Sequence, residues 1–146
     1  IKAIIMHGTA GGSGNNVALA TWIDNNTDNS DKNDSSAHFV IDRDGVIWQT
    51  VRVTKYANHF RPNDRGKSLG ISNHSTIGIE LVQGYDNKAK RWDTITNKQV
   101  ASGKSLVQTL LNTYRLKNEN IYGHGEVGLK RTPDEGLEFI SRAGFR

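Results

Sequence analysis

Thr76–Val82 (TIGIELV) is an apolar run broken by one acid, Glu80, and it reads as the central strand of a sheet. Glutamate is rarely buried without a partner, so an acid within such a run points to a specific role for its carboxylate. Working outward, two β-rich runs precede it. Ala37–Ile41 (AHFVI) and Val46–Val51 (VIWQTV) flank Asp42-Arg43-Asp44-Gly45. Asp-Gly between two such runs signals a hairpin, because glycine tolerates the positive φ of tight turns. At the start of the chain, Ile1–Met6 (IKAIIM) reads as a buried strand ending in His7. Near the far end, Asn120–Gly123 (NIYG) reads as a strand ending in His124.

Between these strands, Asn97–Tyr114 carries Val100, Leu106, Val107, Leu110, Leu111 and Tyr114 at the three-and-four spacing of one buried helical face. Val17–Ile23 reads as a short helix, and another begins at Leu137. Gly8–Asn16 is a glycine-rich loop without the Gly-Lys-Ser/Thr of a phosphate-binding loop. Asp24–Ser36, Asn58–Ser75, Gly84–Thr96 and Gly125–Gly136 read as loops. No repeat or linker interrupts this order, which predicts one α/β domain over residues 1–146, with helices flanking a central mixed sheet.

The 146 residues include no cysteine, so any metal must rest on His, Asp or Glu. Nineteen basic against 15 acidic residues give a net charge of +4. That field suits a polyanionic partner and equally suits simple solubility. No apolar run approaches the roughly 20 residues needed to span a bilayer. The chain starts inside an apolar run, as expected of a trimmed or processed piece.

His7, Glu80 and His124 lie at or near predicted strand ends, and Asp134 follows His124 by ten residues. Imidazoles and a carboxylate suit zinc, and three protein ligands plus a water form the open arrangement of a catalytic centre. A further carboxylate would move protons. Each residue alone also has a structural reading: a hydrogen-bonded polar residue for either histidine, a turn or helix cap for Asp134.

The segments IIMHGTA, SSAHFVIDRDGVIWQTV, NHSTIGIELV and IYGHGEVGLKRTPDEG, in that order, resemble the type 2 N-acetylmuramoyl-L-alanine amidases. That family includes phage lysins, bacterial recycling amidases and animal peptidoglycan recognition proteins. The resemblance implies zinc on His7, His124 and Asp134, Glu80 as general base, and hydrolysis of the bond between N-acetylmuramic acid and L-alanine in peptidoglycan or muropeptides. The chain departs from the family at Thr132, where a lysine usually stands. Lys130 or Arg131 is expected to supply the missing cation, Lys130 as the catalytic group and Arg131 towards the substrate. His59, in YANHFRP, resembles a loop near the substrate and is expected to line the cleft. His38 is expected to be structural, Trp48 to pack and His74 to lie on the surface. The implied setting is the cell envelope or the exterior, with a peptidoglycan partner and no nucleic acid. The alternatives are a peptidoglycan-binding module without activity and a metal-dependent nuclease, for which no stacking or phosphate-cradling motif is present.

Overall fold

The computed structural model describes residues 1–11, 35–129 and 132–146. The expected Val17–Ile23 helix, most of the Asp24–Ser36 stretch, and Lys130 and Arg131 lie outside the described residues.

The strands are β1 (Ala3–Ala10), β2 (Phe39–Ile41), β3 (Ile47–Gln49), β4 (Thr76–Asp86), β5 (Arg91–Trp92) and β6 (Ile121–Gly123). The helices are α1 (Asp64–Ser68), α2 (Asn97–Tyr114), α3 (His124–Val127) and α4 (Leu137–Arg142), with a 3₁₀ turn at Asn118–Asn120. The strands form one mixed sheet in the order β3-β2-β4-β1-β6, and β5 pairs with β4. β2, β4, β1 and β6 run parallel, while β3 returns antiparallel on β2 through the predicted hairpin. Gly45 supplies the positive φ of that turn, +88°.

Strand alternation divides the sheet into two chemically different faces. Ile4 and Met6 of β1, Ile77, Ile79 and Leu81 of β4, and Phe39 and Ile41 of β2 point one way. They pack with Val107, Leu110 and Leu111 of α2 and with Phe139 and Ile140 of α4. The opposite face carries Ala3, Ile5 and Tyr122, covered by Phe60, Ile71 and Val127. The same face also carries His7 and Glu80, which are polar and buried. The apolar core thus forms on one side of β1 and β4, and the chemistry collects on the other.

α2 is held at its start by a capping box. The Thr96 hydroxyl accepts from the Gln99 amide, and the Gln99 side chain accepts from the Thr96 amide. The same Gln99 side chain donates to the carbonyls of Ile41 and Val82, tying the helix to two strand ends. Three elements fall in expected loops: α3, of which residues 125–127 lie in the expected Gly125–Gly136 loop, α1 and β5. α1 is capped by the Asn63 side chain on the Gly66 amide, and β5 pairs Tyr85 with Trp92 and Asp86 with Arg91. Trp48, expected to pack, is instead 40% exposed, because β3 is the edge strand.

Candidate metal centre

β1, β4 and β6 are parallel, and β1 runs on to Ala10 rather than ending at His7, so His7 and Glu80 lie within their strands, level with the C-terminal end of β6. His7 is the register partner of Glu80 on the neighbouring strand, so the two side chains rise from the same face. His124 is the first residue after β6. α3, which it opens, is fixed by Glu126, whose carboxylate accepts from the Gly123 amide at 2.8 Å and from Arg146 at 2.6 and 2.9 Å. Arg146 is thereby clamped against the turn that presents His124.

Among the described residues, His7, His124 and Glu135 converge with their ligating atoms within 4.8 Å of one another. His7 Nδ1 lies 2.7 Å from His124 Nδ1, His124 Nδ1 lies 3.1 Å from Glu135 Oε1, and His7 Nδ1 lies 3.8 Å from Glu135 Oε1. All three residues are at most 2% exposed. Two imidazole nitrogens this close need a proton or a cation between them. A tetrahedral ion with bonds of about 2.0–2.2 Å sets its ligands about 3.3–3.6 Å apart, which the observed distances bracket. Two imidazoles and a carboxylate are also a donor set that suits zinc. Glu80 Oε1 stands 3.9 Å from His7 Nδ1, beside the three-residue group.

Asp134, expected as the third ligand, is not brought to the histidines. It is exposed, and the buried carboxylate beside them is that of its neighbour, Glu135. The turn explains the exchange. The Glu135 amide bonds to the Thr132 carbonyl and the Leu137 amide to the Asp134 carbonyl, which turns Glu135 inward and Asp134 outward. Two adjacent acids offered no sequence signal for which of them faces in.

His59, expected to line the cleft, lies underneath His7 instead. It is 6% exposed, with Nδ1 3.0 Å from His7 Nε2 and Nε2 2.9 Å from the Thr76 hydroxyl. Its ring rests on the backbone of Gly78, where an added Cβ would stand 2.6 Å from His59 Cγ. Burial, and then the neighbouring His38 and His124, hold its pKa well below 6.5, so the ring is neutral near pH 7. His38 is structural as expected: it accepts from the Gly78 amide and donates to the Lys55 carbonyl. Burial lowers its pKa against that carbonyl's opposing pull. His74 is exposed against Tyr56.

One neighbour of the centre had no sequence signal. Trp92 packs against Gly8, the residue after His7, and its indole N–H donates to the Thr132 hydroxyl at 3.0 Å. β5 therefore holds the loop that carries Glu135.

The family profile described as N-acetylmuramoyl-L-alanine amidase matches residues 1–137. The endolysin of Escherichia phage T7 is 31% identical over 105 residues, which are 72% of this chain and 62% of that protein. The 1,6-anhydro-N-acetylmuramyl-L-alanine amidase AmpD of Salmonella typhimurium is 32% identical over 112 residues, 71% of this chain and 52% of that protein. The chain thus spans less than two thirds of the length of these relatives. In fold it is similar to the N-acetylmuramyl-L-alanine amidase AmiD of E. coli, solved with anhydro-N-acetylmuramic acid-L-Ala-D-gamma-Glu-L-Lys. The TM-score is 0.70 at 24% identity, over 99% of this chain and 57% of that one.

Proposed function

The chain belongs to the N-acetylmuramoyl-L-alanine amidase family, and from that premise we propose that residues 1–146 form one catalytic domain. It hydrolyses the amide between N-acetylmuramic acid and L-alanine in peptidoglycan or muropeptides. The observation that carries the proposal is the convergence of His7, His124 and Glu135, with Glu80 beside them, on one face of the sheet. A binding module has no need of a buried ligand set with an adjacent base. The substrate class rests on the family and on the muropeptide held by AmiD. The setting this implies is the cell envelope or the exterior. No described helix is long and apolar enough to cross a membrane.

His7, His124 and Glu135 would hold zinc. When bound, zinc supplies Lewis acidity to the scissile carbonyl and lowers the pKa of the attacking water. Glu80 accepts the water's proton as the oxygen attacks the carbonyl, then delivers it to the departing amine of L-alanine. Because Glu80 and His7 are register partners on rigid neighbouring strands, the base is fixed relative to the ligands. Lys130 or Arg131 stabilises the negative oxygen that develops.

Mass spectrometry of a muropeptide digest made with and without a chelator tests bond, activity and metal together. Free stem peptide beginning at L-alanine, formed only without chelator, is the expected result. Cleavage at another bond, or at this bond regardless of chelator, would overturn the reading.

A further inference from the structure

We infer that His59 and Thr76 are positioning residues that fix the tautomer of His7, so that its Nδ1 presents a lone pair to the centre before any metal arrives. The inference rests on the assignment of His7 as a ligand and follows from the directions of three hydrogen bonds, two of them buried.

The chain of directions starts at a carbonyl, which can only accept. The Thr76 hydroxyl lies 2.8 Å from the Ser72 carbonyl oxygen and donates its single proton there. At 2.9 Å from His59 Nε2, the same oxygen can then only accept, so the proton of the neutral His59 ring sits on Nε2. His59 Nδ1 is left as an acceptor, 3.0 Å from His7 Nε2. His7 Nε2 must therefore carry a proton, and in the neutral ring Nδ1 is the nitrogen left with its lone pair, facing His124 and Glu135. Reversing any one bond would place two donors or two acceptors face to face at 2.8–3.0 Å, at His59 and His7 in a buried space. The cost of such a mismatch is that of an unmade buried hydrogen bond.

Three local features hold this chain of bonds in place. Asn73 Oδ1 accepts from both the His59 and Phe60 amides, fixing the backbone from which the His59 ring hangs. Gly78 provides the space for that ring. Thr76 and Gly78 lie on the same face of β4 as Glu80, so one strand carries the hydroxyl, the clearance and the base. A metal-binding imidazole commonly donates its other N–H to a carbonyl or carboxylate, which fixes ring and tautomer. Here a neutral histidine stands in that place, and it has a direction only because Thr76 and Ser72 give it one.

The test begins with the metal-free parent, where two-bond ¹H–¹⁵N correlation spectra distinguish the two tautomers of each ring. His7 and His59 should both be protonated at Nε2. A His7 protonated at Nδ1 would overturn the inference. Zinc affinity is then measured by competition with a chromophoric chelator. Thr76→Val keeps the side-chain shape but removes the hydroxyl. It should mix the His59 and His7 tautomers and weaken zinc about 10–100-fold, while Thr76→Ser stays near the parent. His59→Asn, whose amide oxygen can replace Nδ1 as acceptor, should retain more affinity than His59→Leu. Thr76→Val with parental tautomers and parental affinity would refute the relay. A parent that binds no zinc would instead overturn the metal assignment, and the tautomer spectra would still decide the hydrogen-bond chain.

Discussion

Gly78→Ala adds one methyl group at the point where the sheet meets His59. The new Cβ would stand 2.6, 2.8 and 2.9 Å from Cγ, Nδ1 and Cδ2 of the ring, against ordinary contacts of 3.4–4 Å. The ring must retreat by about 0.8 Å or the strand must bend. The ring is tethered at both nitrogens, by bonds of 3.0 and 2.9 Å, so a displacement of that size breaks or badly bends at least one of them. Overpacking of a buried position costs about 1–3 kcal/mol. A buried nitrogen left unsatisfied costs about another 1–3 kcal/mol. Replacing glycine in a strand returns about 0.5–1 kcal/mol. The net destabilisation expected is about 1–5 kcal/mol. Urea unfolding followed by circular dichroism reads it as a lower midpoint at an unchanged slope. In the same variant, zinc affinity should fall as His7 loses its partner. A Gly78→Ala protein with the parent's midpoint and zinc affinity would refute the packing and the role of His59 together.

Glu80→Gln keeps the shape of the side chain but removes the proton acceptor, so muropeptide turnover should fall about 10²-fold or more, with zinc content unchanged. Near-parental turnover would place the base elsewhere. Lys130→Ala or Arg131→Ala, whichever residue supplies the cation, should lower kcat about 10²–10³-fold with little change in KM, as expected of a contact made mainly in the transition state. Parental kcat in both would leave neither cation a role. The depressed pKa of His38 gives stability a pH dependence. Below the unfolded value of about 6.5 the unfolded ring takes a proton that the buried ring refuses, so stability falls as pH drops from there towards the folded value. His38→Gln should flatten that slope between pH 7 and 5 in urea titrations. An unchanged slope would deny His38 the contribution.

The elements legible in the sequence were those with a strong local pattern. β4 announced itself by an apolar run, the β2–β3 hairpin by Asp-Gly, and α2 by one apolar stripe whose predicted span, Asn97–Tyr114, matches the helix. α1, α3 and β5 went unread because Asp64–Ser68 has no apolar stripe, His124–Val127 is a single turn, and Arg91–Trp92 is only a pair of residues on the end of a longer strand. His7, Glu80 and His124 stood out as polar residues in or beside apolar strand runs, but that they meet was implied by the family resemblance and not by their spacing. Glu135 could not be anticipated, since its inward turn depends on hydrogen bonds between backbone groups of a loop. Nor could the place of His59, which owes its burial to a missing side chain at Gly78 and a hydroxyl at Thr76, both remote from it in sequence.

The measurement that bears most directly on the centre is the zinc content of Glu135→Gln and Asp134→Asn, purified beside the parent, loaded with zinc, dialysed and read by elemental mass spectrometry. The parent and Asp134→Asn should each retain about one zinc per chain, while Glu135→Gln and the control His124→Ala lose it. A Glu135→Gln protein that keeps its zinc while Asp134→Asn loses it would contradict the inward placement of Glu135. A parent without zinc would contradict the metal centre itself.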